Sequence, residues 1–160
     1  MEAADMPSTI FTAPDYNPAR ERKRKVILVV IACVIVLAAV LAWWFRYWPQ
    51  EHEVDRFFNA LQAKDYKAAY GVWMNDPSWQ QHPQQYSRYP FADFYSDWGP
   101  GGEWGLVNSH HVDCAAKPSG GSGVIVVVTV NGRVQKALVW VEGNDKTLSF
   151  PPPQLQVTCS

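Results

Sequence analysis

The chain has 160 residues, a formal net charge of −1 and three cysteines. A chain of this length forms one compact domain beside a membrane segment, but not two. Residues 46–160 carry 9 basic and 11 acidic side chains, a formal net charge of −2. Because no basic stripe runs through this part, the composition argues against nucleic acid as a partner.

Residues 1–25 are predicted to form a disordered cytoplasmic tail. Residues 1–19 hold three prolines, few large apolar side chains and no periodic pattern. The tail ends in a basic run in which Glu21 is the single acidic residue. An excess of basic residues marks the cytoplasmic flank of a membrane segment, so the run is predicted to set the topology. The run consists of Arg20, Arg22, Lys23, Arg24 and Lys25.

Residues 26–48 are predicted to form a transmembrane helix. Residues 26–45 contain no charge, proline or glycine, and twenty helical residues span about 30 Å, the thickness of a bilayer's hydrocarbon core. Trp43, Trp44, Tyr47 and Trp48 follow, an aromatic cluster typical of the interface between membrane and water. The lipid bilayer is therefore an expected partner. The pattern predicts a single-pass cell-membrane protein with residues 49–160 outside, in the periplasm or the extracellular space.

A cleaved signal peptide is the alternative to this anchor. Val40, Leu41 and Ala42 resemble a cleavage site with small residues. However, the basic region and the apolar run are both longer than the corresponding regions of a signal peptide. The sequence therefore favours an uncleaved anchor.

Three helices are predicted after the span. Residues 51–64 place Val54, Phe57, Phe58 and Leu61 at the spacing of an amphipathic helix. Asp65 can cap a second helix that carries Tyr70 and Trp73 on one face and is closed by residues 75–77. Residues 91–98 repeat the helical spacing with aromatic side chains. The predicted core residues are Phe57, Phe58, Leu61, Tyr70, Trp73, Phe94 and Trp98.

Strand patterns begin at Glu103. Residues 103–116 alternate so that His110 and Cys114 are expected on one face of a strand. Residues 124–130 and 133–141 flank Asn131 and Gly132, a strong signal for a two-residue hairpin turn. A short strand is expected at residues 146–150. Helices followed by an antiparallel meander predict an α+β domain over residues 49–160.

Residues 57–70 carry the pattern F-F-x-A-L-x-A-x-D-Y-x-x-A-Y, followed by an aromatic third helix and a strand meander. This arrangement resembles the nuclear transport factor 2-like domains, which have the cone fold of ketosteroid isomerase. The resemblance covers residues 51 to about 150 and implies helices packed on a curved antiparallel sheet, with a pocket between them. It implies no reaction, and no catalytic residue of the family can be matched in this sequence.

Candidate chemical sites are few. His110 and His111 point to opposite faces of a strand, and His110 lies roughly 13 Å from Cys114 along an extended chain, too far for one ion. The sequence therefore predicts no metal, no cofactor and no catalytic site. An aromatic pocket for a small ligand is possible, although packing in the core and loops explains the same residues. The candidate lining is Trp73, Trp79, Trp98 and Trp104.

Cys114 and Cys159 are the two cysteines outside the predicted span, in a compartment that permits disulfides. A bond between them is predicted to tie the C-terminal tail to the first strand. With one span and no catalytic constellation, the sequence favours a non-catalytic interaction domain, an accessory or assembly subunit of a membrane or envelope complex. A cone-fold pocket that binds a small molecule or lipid is the alternative, and an enzyme ranks last.

Overall fold

The computed structural model describes residues 18–155, 157 and 159. The described chain forms two compact units, which divide between Trp44 and Phe45. The tail predicted for residues 1–17 lies outside the described residues.

The first unit is a single helix, α1 (Pro18–Trp44), of 27 residues. None of its residues is buried, and its large apolar side chains in residues 26–41 are 46% to 65% exposed. Within the described chain, one helix is long and apolar enough to cross a membrane, and it contains this segment. The first unit is therefore compatible with a membrane anchor.

The bounds of α1 differ from the predicted span of residues 26–48. The helix begins at Pro18, so the basic run is helical and does not belong to a disordered tail. Proline suits the first turn of a helix, and the ion pair between Glu21 and Lys25 (3.1 Å) stabilises the next turn. The apolar segment is already helical, and adding residues to an existing helix costs less free energy than starting a new one. Residues 45–47 form a turn, and Trp48 begins the next helix with Pro49 in its first turn.

The second unit opens with three helices, α2 (Trp48–Gln62), α3 (Tyr66–Trp73) and α4 (Phe91–Trp98). The predicted stripe of α2 is the face that the structure buries. Asp65 caps α3 by accepting a hydrogen bond from the backbone N–H of Ala68 (3.0 Å). Two short 3₁₀ turns, Trp79–Gln81 and Pro83–Tyr86, lie between α3 and α4.

Four strands then form an antiparallel open sheet in the described chain. They are β1 (His110–Ala116), β2 (Val124–Val130), β3 (Lys136–Val141) and β4 (Leu148–Ser149), in that order across the sheet. Asn131 and Gly132 have φ angles of 52° and 65° in the turn between β2 and β3. The α+β class is therefore confirmed.

The first strand starts later than predicted because residues 103–109 form a turn at residues 103–104 and then an irregular loop. The side-chain oxygen of Asn131 accepts hydrogen bonds from the backbone N–H groups of Asn108 (2.8 Å) and Ser109 (3.2 Å). These bonds hold the segment against the β2–β3 hairpin instead of in the sheet. The third and fourth strands are also shorter than the predicted 133–141 and 146–150.

A β-bulge at Asp113 changes which residues share a face of β1. Val112 pairs with Val128, whereas Cys114 pairs with Val127, so one extra residue stands between them. Val128 belongs to the core on the helix side and Val127 does not. The prediction that His110 and Cys114 share a face is therefore wrong, because strict alternation fails at a bulge.

The core fills the space between the three helices and one face of the sheet. All seven predicted core residues are at most 3% exposed. The Phe57 ring lies 5.1 Å from Phe58, 5.1 Å from Trp73 and 4.9 Å from Trp98, measured between ring centroids. From the sheet, β2 and β3 contribute mainly valines to this core.

After β4, the chain passes from one face of the sheet to the other. Phe150 packs against Trp73 on the helix side, with ring centroids 5.3 Å apart. Cys159 forms a disulfide with Cys114, whose pairing with Val127 places it on the opposite face. The disulfide therefore holds Cys159 at β1, the edge strand opposite β4 in the sheet.

Candidate functional site

A surface depression of about 480 Å³ lies at the C-terminal end of α4. Its volume is within the range of small-ligand sites, roughly 300–1,000 Å³. Three segments contribute to it: the last turn of α4, the loop of residues 99–105, and the residue that follows β4. The lining residues are Ser96, Asp97, Trp98, Gly101, Gly102, Glu103, Trp104 and Phe150.

Two glycines allow the loop to fold closely against the end of α4. A Cβ atom on Gly99 would overlap the carbonyl oxygen of Tyr95, and one on Gly102 would overlap that of Asp97. The backbone N–H of Gly102 donates to the carbonyl oxygen of Gly99 (3.0 Å), which closes the turn. The sequence Gly-Pro-Gly-Gly therefore both ends the helix and shapes one wall of the depression.

Aromatic rings form the floor of the depression. Phe150 is 51% exposed and stacks nearly parallel on Trp98, with ring centroids 5.9 Å apart and planes 6° apart. Trp98 itself is only 3% exposed, and Trp73 packs behind it. The buried indole N–H of Trp98 has no hydrogen-bond partner in the described chain, although such groups usually find one.

Two carboxylates stand on the rim. Asp97 accepts a hydrogen bond from the hydroxyl of Tyr89 (2.7 Å), and Glu103 accepts one from the side-chain amide of Gln135 (2.6 Å). Neither carboxylate forms an ion pair with any residue that the structure describes. The carbonyl end of α4 adds the negative pole of a helix dipole, so this side of the rim is acidic.

Tyr89 holds Asp97 in place. Burial, and then the hydrogen bond to Asp97, raise the pKa of the Tyr89 hydroxyl well above its usual value. The hydroxyl of Tyr70 donates to the backbone carbonyl of Tyr89 (2.6 Å). Because Tyr89 stays protonated at physiological pH, it remains a hydrogen-bond donor to the carboxylate.

The chain places one of its own cations beside this site. The guanidinium carbon of Arg133 lies 5.8 Å from the ring centroid of Trp104, within the range of cation–π attraction. Arg133 also donates through Nη1 to the backbone carbonyl of Glu103 (2.9 Å). The surroundings of Trp104 and Glu103 are thus already suited to a guanidinium group.

The structure gathers only part of the predicted aromatic pocket. Trp98 and Trp104 line the depression, and Trp73 lies behind Trp98. Trp79 lies elsewhere: its ring stacks on Phe91 (5.3 Å), and its indole N–H donates to the carbonyl of Lys67 (3.1 Å).

Sequence reasoning missed Phe150, Asp97 and Glu103. The two acids flank the Gly-Pro-Gly-Gly turn, and charges on both sides of a tight turn are a signal that could have identified them. Phe150 gave no local signal, because only the pairing of β4 brings it to the site.

A second polar cluster centres on Asp76, in the segment between α3 and α4. Its carboxylate accepts from the hydroxyls of Tyr86 (2.7 Å) and Ser78 (2.8 Å), and Oδ2 lies 2.6 Å from Nε2 of His82. The bond from Tyr86 is the main cause that holds the pKa of Asp76 well below its usual value, and it raises the pKa of Tyr86 to about 12. Ser78 donates to the carboxylate and not to the imidazole, so the cluster ties a loop together and forms no nucleophile–base pair.

His110 joins β1 to α2. Its Nε2 lies 3.0 Å from Asp55 and its Nδ1 3.2 Å from Gln62, and its ring stacks on Phe58. Its side chain is 7% exposed, whereas His111 is exposed. Among the residues described, no group of three or more His, Cys, Asp or Glu side chains could hold a metal ion.

The remaining predicted residues lie on α1 and at the start of the second unit. Trp43 and Trp44 of α1 are 67% and 81% exposed, and Trp48 of α2 is 55% exposed. Tyr47 is half-buried beneath the guanidinium of Arg46, which lies 4.5 Å from its ring centroid. The basic run occupies the first turns of α1.

The second unit is thus a small α+β domain with an aromatic, acidic depression, and it follows a long apolar helix in the chain. No family model, no curated protein and no solved structure matches this chain.

Proposed function

We propose that this chain is a single-pass membrane protein whose extracytoplasmic domain binds another protein without catalysing a reaction. It acts as an accessory or assembly subunit of a membrane or envelope complex. The observation that carries this proposal is α1, 27 residues long with no buried residue, followed after only residues 45–47 by α2.

The charge pattern supports a cytoplasmic N-terminus. Five basic residues precede the apolar segment, whereas Arg46 and Arg56 are the nearest basic residues after it. Basic residues concentrate on the cytoplasmic side of membrane spans. The disulfide between Cys114 and Cys159 fits the same orientation, because such bonds persist in oxidising compartments outside the cytosol.

The domain is proposed to be a cone-type fold of the nuclear transport factor 2-like kind, with its interior filled. In that fold the ligand pocket lies between the helices and the sheet. Here aromatic rings occupy this space: Phe57, Phe58 and Phe94 are 0% exposed. A filled interior favours binding at the surface.

A second candidate function is the binding of a small molecule or lipid. The depression of about 480 Å³ favours this candidate, because a small ligand could occupy it without opening the core. Both functions would use the same surface, and they differ in whether the bound group belongs to another protein.

The topology is tested with the full-length chain carrying an epitope at either end. Protease added to intact spheroplasts should remove the C-terminal epitope and spare the N-terminal one. The reverse pattern would refute the orientation. A mature N-terminus at Trp43 would show instead that the apolar segment is a cleaved signal peptide.

The interaction role is tested by purifying the full-length chain from its native membrane in mild detergent. Native mass spectrometry should find one protein partner in a fixed ratio. A lone chain that carries a small molecule would establish the second candidate in its place. A truncated chain of residues 1–47, which keeps α1 and lacks the domain, is the control for contacts made by α1 alone.

A further inference from the structure

We propose that the depression at the end of α4 binds an organic cation, a guanidinium or ammonium group on an aliphatic stem. In the proposed function this group is an arginine or lysine side chain of the partner protein. The inference therefore rests on that function for its biological source, although the chemistry of the site stands independently.

Charge is the first reason. Asp97 and Glu103 each use a carboxylate oxygen to accept a neutral hydrogen bond, and neither forms an ion pair with another described residue. The carbonyl end of α4 adds negative potential at the same place. The domain also carries a formal net charge of −2, so it attracts cations at longer range.

The aromatic floor is the second reason. Phe150 leaves half of its surface exposed and is fixed by stacking on Trp98 and by contact with Tyr89 (6.1 Å). An exposed, immobilised ring attracts a cation to its face and packs against the methylene groups of a long side chain. Packing alone does not explain why half of this large apolar ring is exposed, whereas binding of a cation to its face does.

The position of Arg133 shows what kind of cation this environment accepts. Its guanidinium lies over Trp104 while it donates to the carbonyl of Glu103, so ring and oxygen acceptors act together. A bound guanidinium would likewise have an aromatic ring, Phe150, and the oxygen acceptors of Asp97 and Glu103. The planar group suits two carboxylates because it donates several hydrogen bonds in fixed directions.

A metal ion suits the site less well. A divalent metal prefers a shell of oxygen ligands and retains water, whereas one side of the depression is an aromatic surface. An organic cation is weakly hydrated and gains from contact with rings. The shape and the chemistry therefore select a side-chain-sized organic cation.

The test uses the full-length chain in nanodiscs of zwitterionic lipid, with tryptophan indole N–H signals followed by NMR. Trp98 and Trp104 report on the site, and Trp79 reports on the fold away from it. The probe is N-acetyl-arginine methylamide, and its uncharged control is the citrulline analogue of the same shape. We expect the arginine probe to cause saturable shifts of the Trp98 and Trp104 signals. The citrulline probe should bind at least about tenfold more weakly, because it lacks the positive charge that the site attracts.

Substitutions test whether the cation binds at the rim of the depression. Asp97→Asn combined with Glu103→Gln should weaken binding about tenfold, since both charges are removed while the hydrogen-bond acceptors remain. Asp93→Asn is the matched control: Asp93 is an exposed acid on the same helix outside the depression, and its change should leave affinity within about twofold. Phe150→Leu should weaken binding while the Trp79 signal stays in place.

Several results would overturn the inference. They are the absence of saturable shifts, equal binding of the citrulline probe, and an equal loss with Asp93→Asn. Butylguanidinium, which keeps the head group and lacks the flanking amides, separates the two sources. Binding as tight as that of the arginine probe would assign a free organic cation, whereas clear preference for the amide-flanked probe would assign a protein side chain. If the native complex forms but the chain binds no cation, the cation site is refuted and the proposed function is not. If the chain binds the cation but has no protein partner, the proposed function is refuted and the cation site is not.

Discussion

Removing the Phe57 ring should destabilise the second unit more than most single substitutions. Phe57 is 0% exposed and lies at the centre of the aromatic core. Besides Phe58, Trp73 and Trp98, its ring contacts Phe94, with centroids 6.1 Å apart. Phe57→Ala therefore removes one ring from contact with four others.

The expected loss follows from the chemistry of the cavity. Truncating a buried phenylalanine to alanine costs about 3–5 kcal/mol, through lost transfer free energy and the cavity that remains. The rings around Phe57 are rigid and come from α2, α3 and α4, so they cannot collapse easily into the space. We expect a loss of about 4 kcal/mol, a large part of the 5–15 kcal/mol that stabilises a typical domain.

The assay is urea unfolding of the full-length chain in mild detergent, followed by tryptophan fluorescence. Val134→Ala is the matched control, because Val134 is apolar but 95% exposed, and its free energy of unfolding should change by less than about 0.5 kcal/mol. A loss below about 1 kcal/mol for Phe57→Ala would refute the assignment of Phe57 to the core.

Two further perturbations test the loop and the tail. Cys159→Ser opens a loop of 45 residues and should lower the free energy of unfolding by about 3–4 kcal/mol. The native chain should show one free thiol, Cys33, under denaturing, non-reducing conditions, and three would refute the bond. The low pKa of Asp76 means that its ionised form stabilises the fold above the usual value of 3.8, and that this contribution is lost as pH falls below it. Asp76→Asn should therefore lower the melting temperature at pH 7 and flatten its decline between about pH 4 and 2, and an unchanged profile would refute this role.

The parts of the fold that were predicted from the sequence depend on local signals. The stripe of α2 is set by the helical repeat, and the turn at Asn131 and Gly132 needs positive φ at both positions. Asp65 caps α3 because a carboxylate before a helix can accept from its first N–H groups. Each of these elements is decided by residues within a few positions of one another.

The errors arise where distant residues decide the structure. The bulge at Asp113 is stabilised by partners on other strands: Thr129 donates to its carboxylate (2.8 Å), and Lys136 forms an ion pair with it (3.0 Å). Burial opposes ionisation of Asp113, but these hydrogen bonds outweigh it and lower its pKa. No pattern within β1 indicates this arrangement, so alternation alone misplaced Cys114 relative to His110.

The candidate site combines a feature that neighbouring residues decide with one that distant residues decide. Asp97 and Glu103 are brought together by a turn of known chemistry, and their proximity could be inferred from the sequence. Phe150 reaches them only because β4 pairs with β3, Leu148 opposite Val141 and Ser149 opposite Trp140. The acidic rim is therefore a local feature, but its aromatic floor exists only when the sheet is complete. A cation site of this kind forms with the folded domain and should disappear with it, which makes cation binding a sensitive measure of the native sheet.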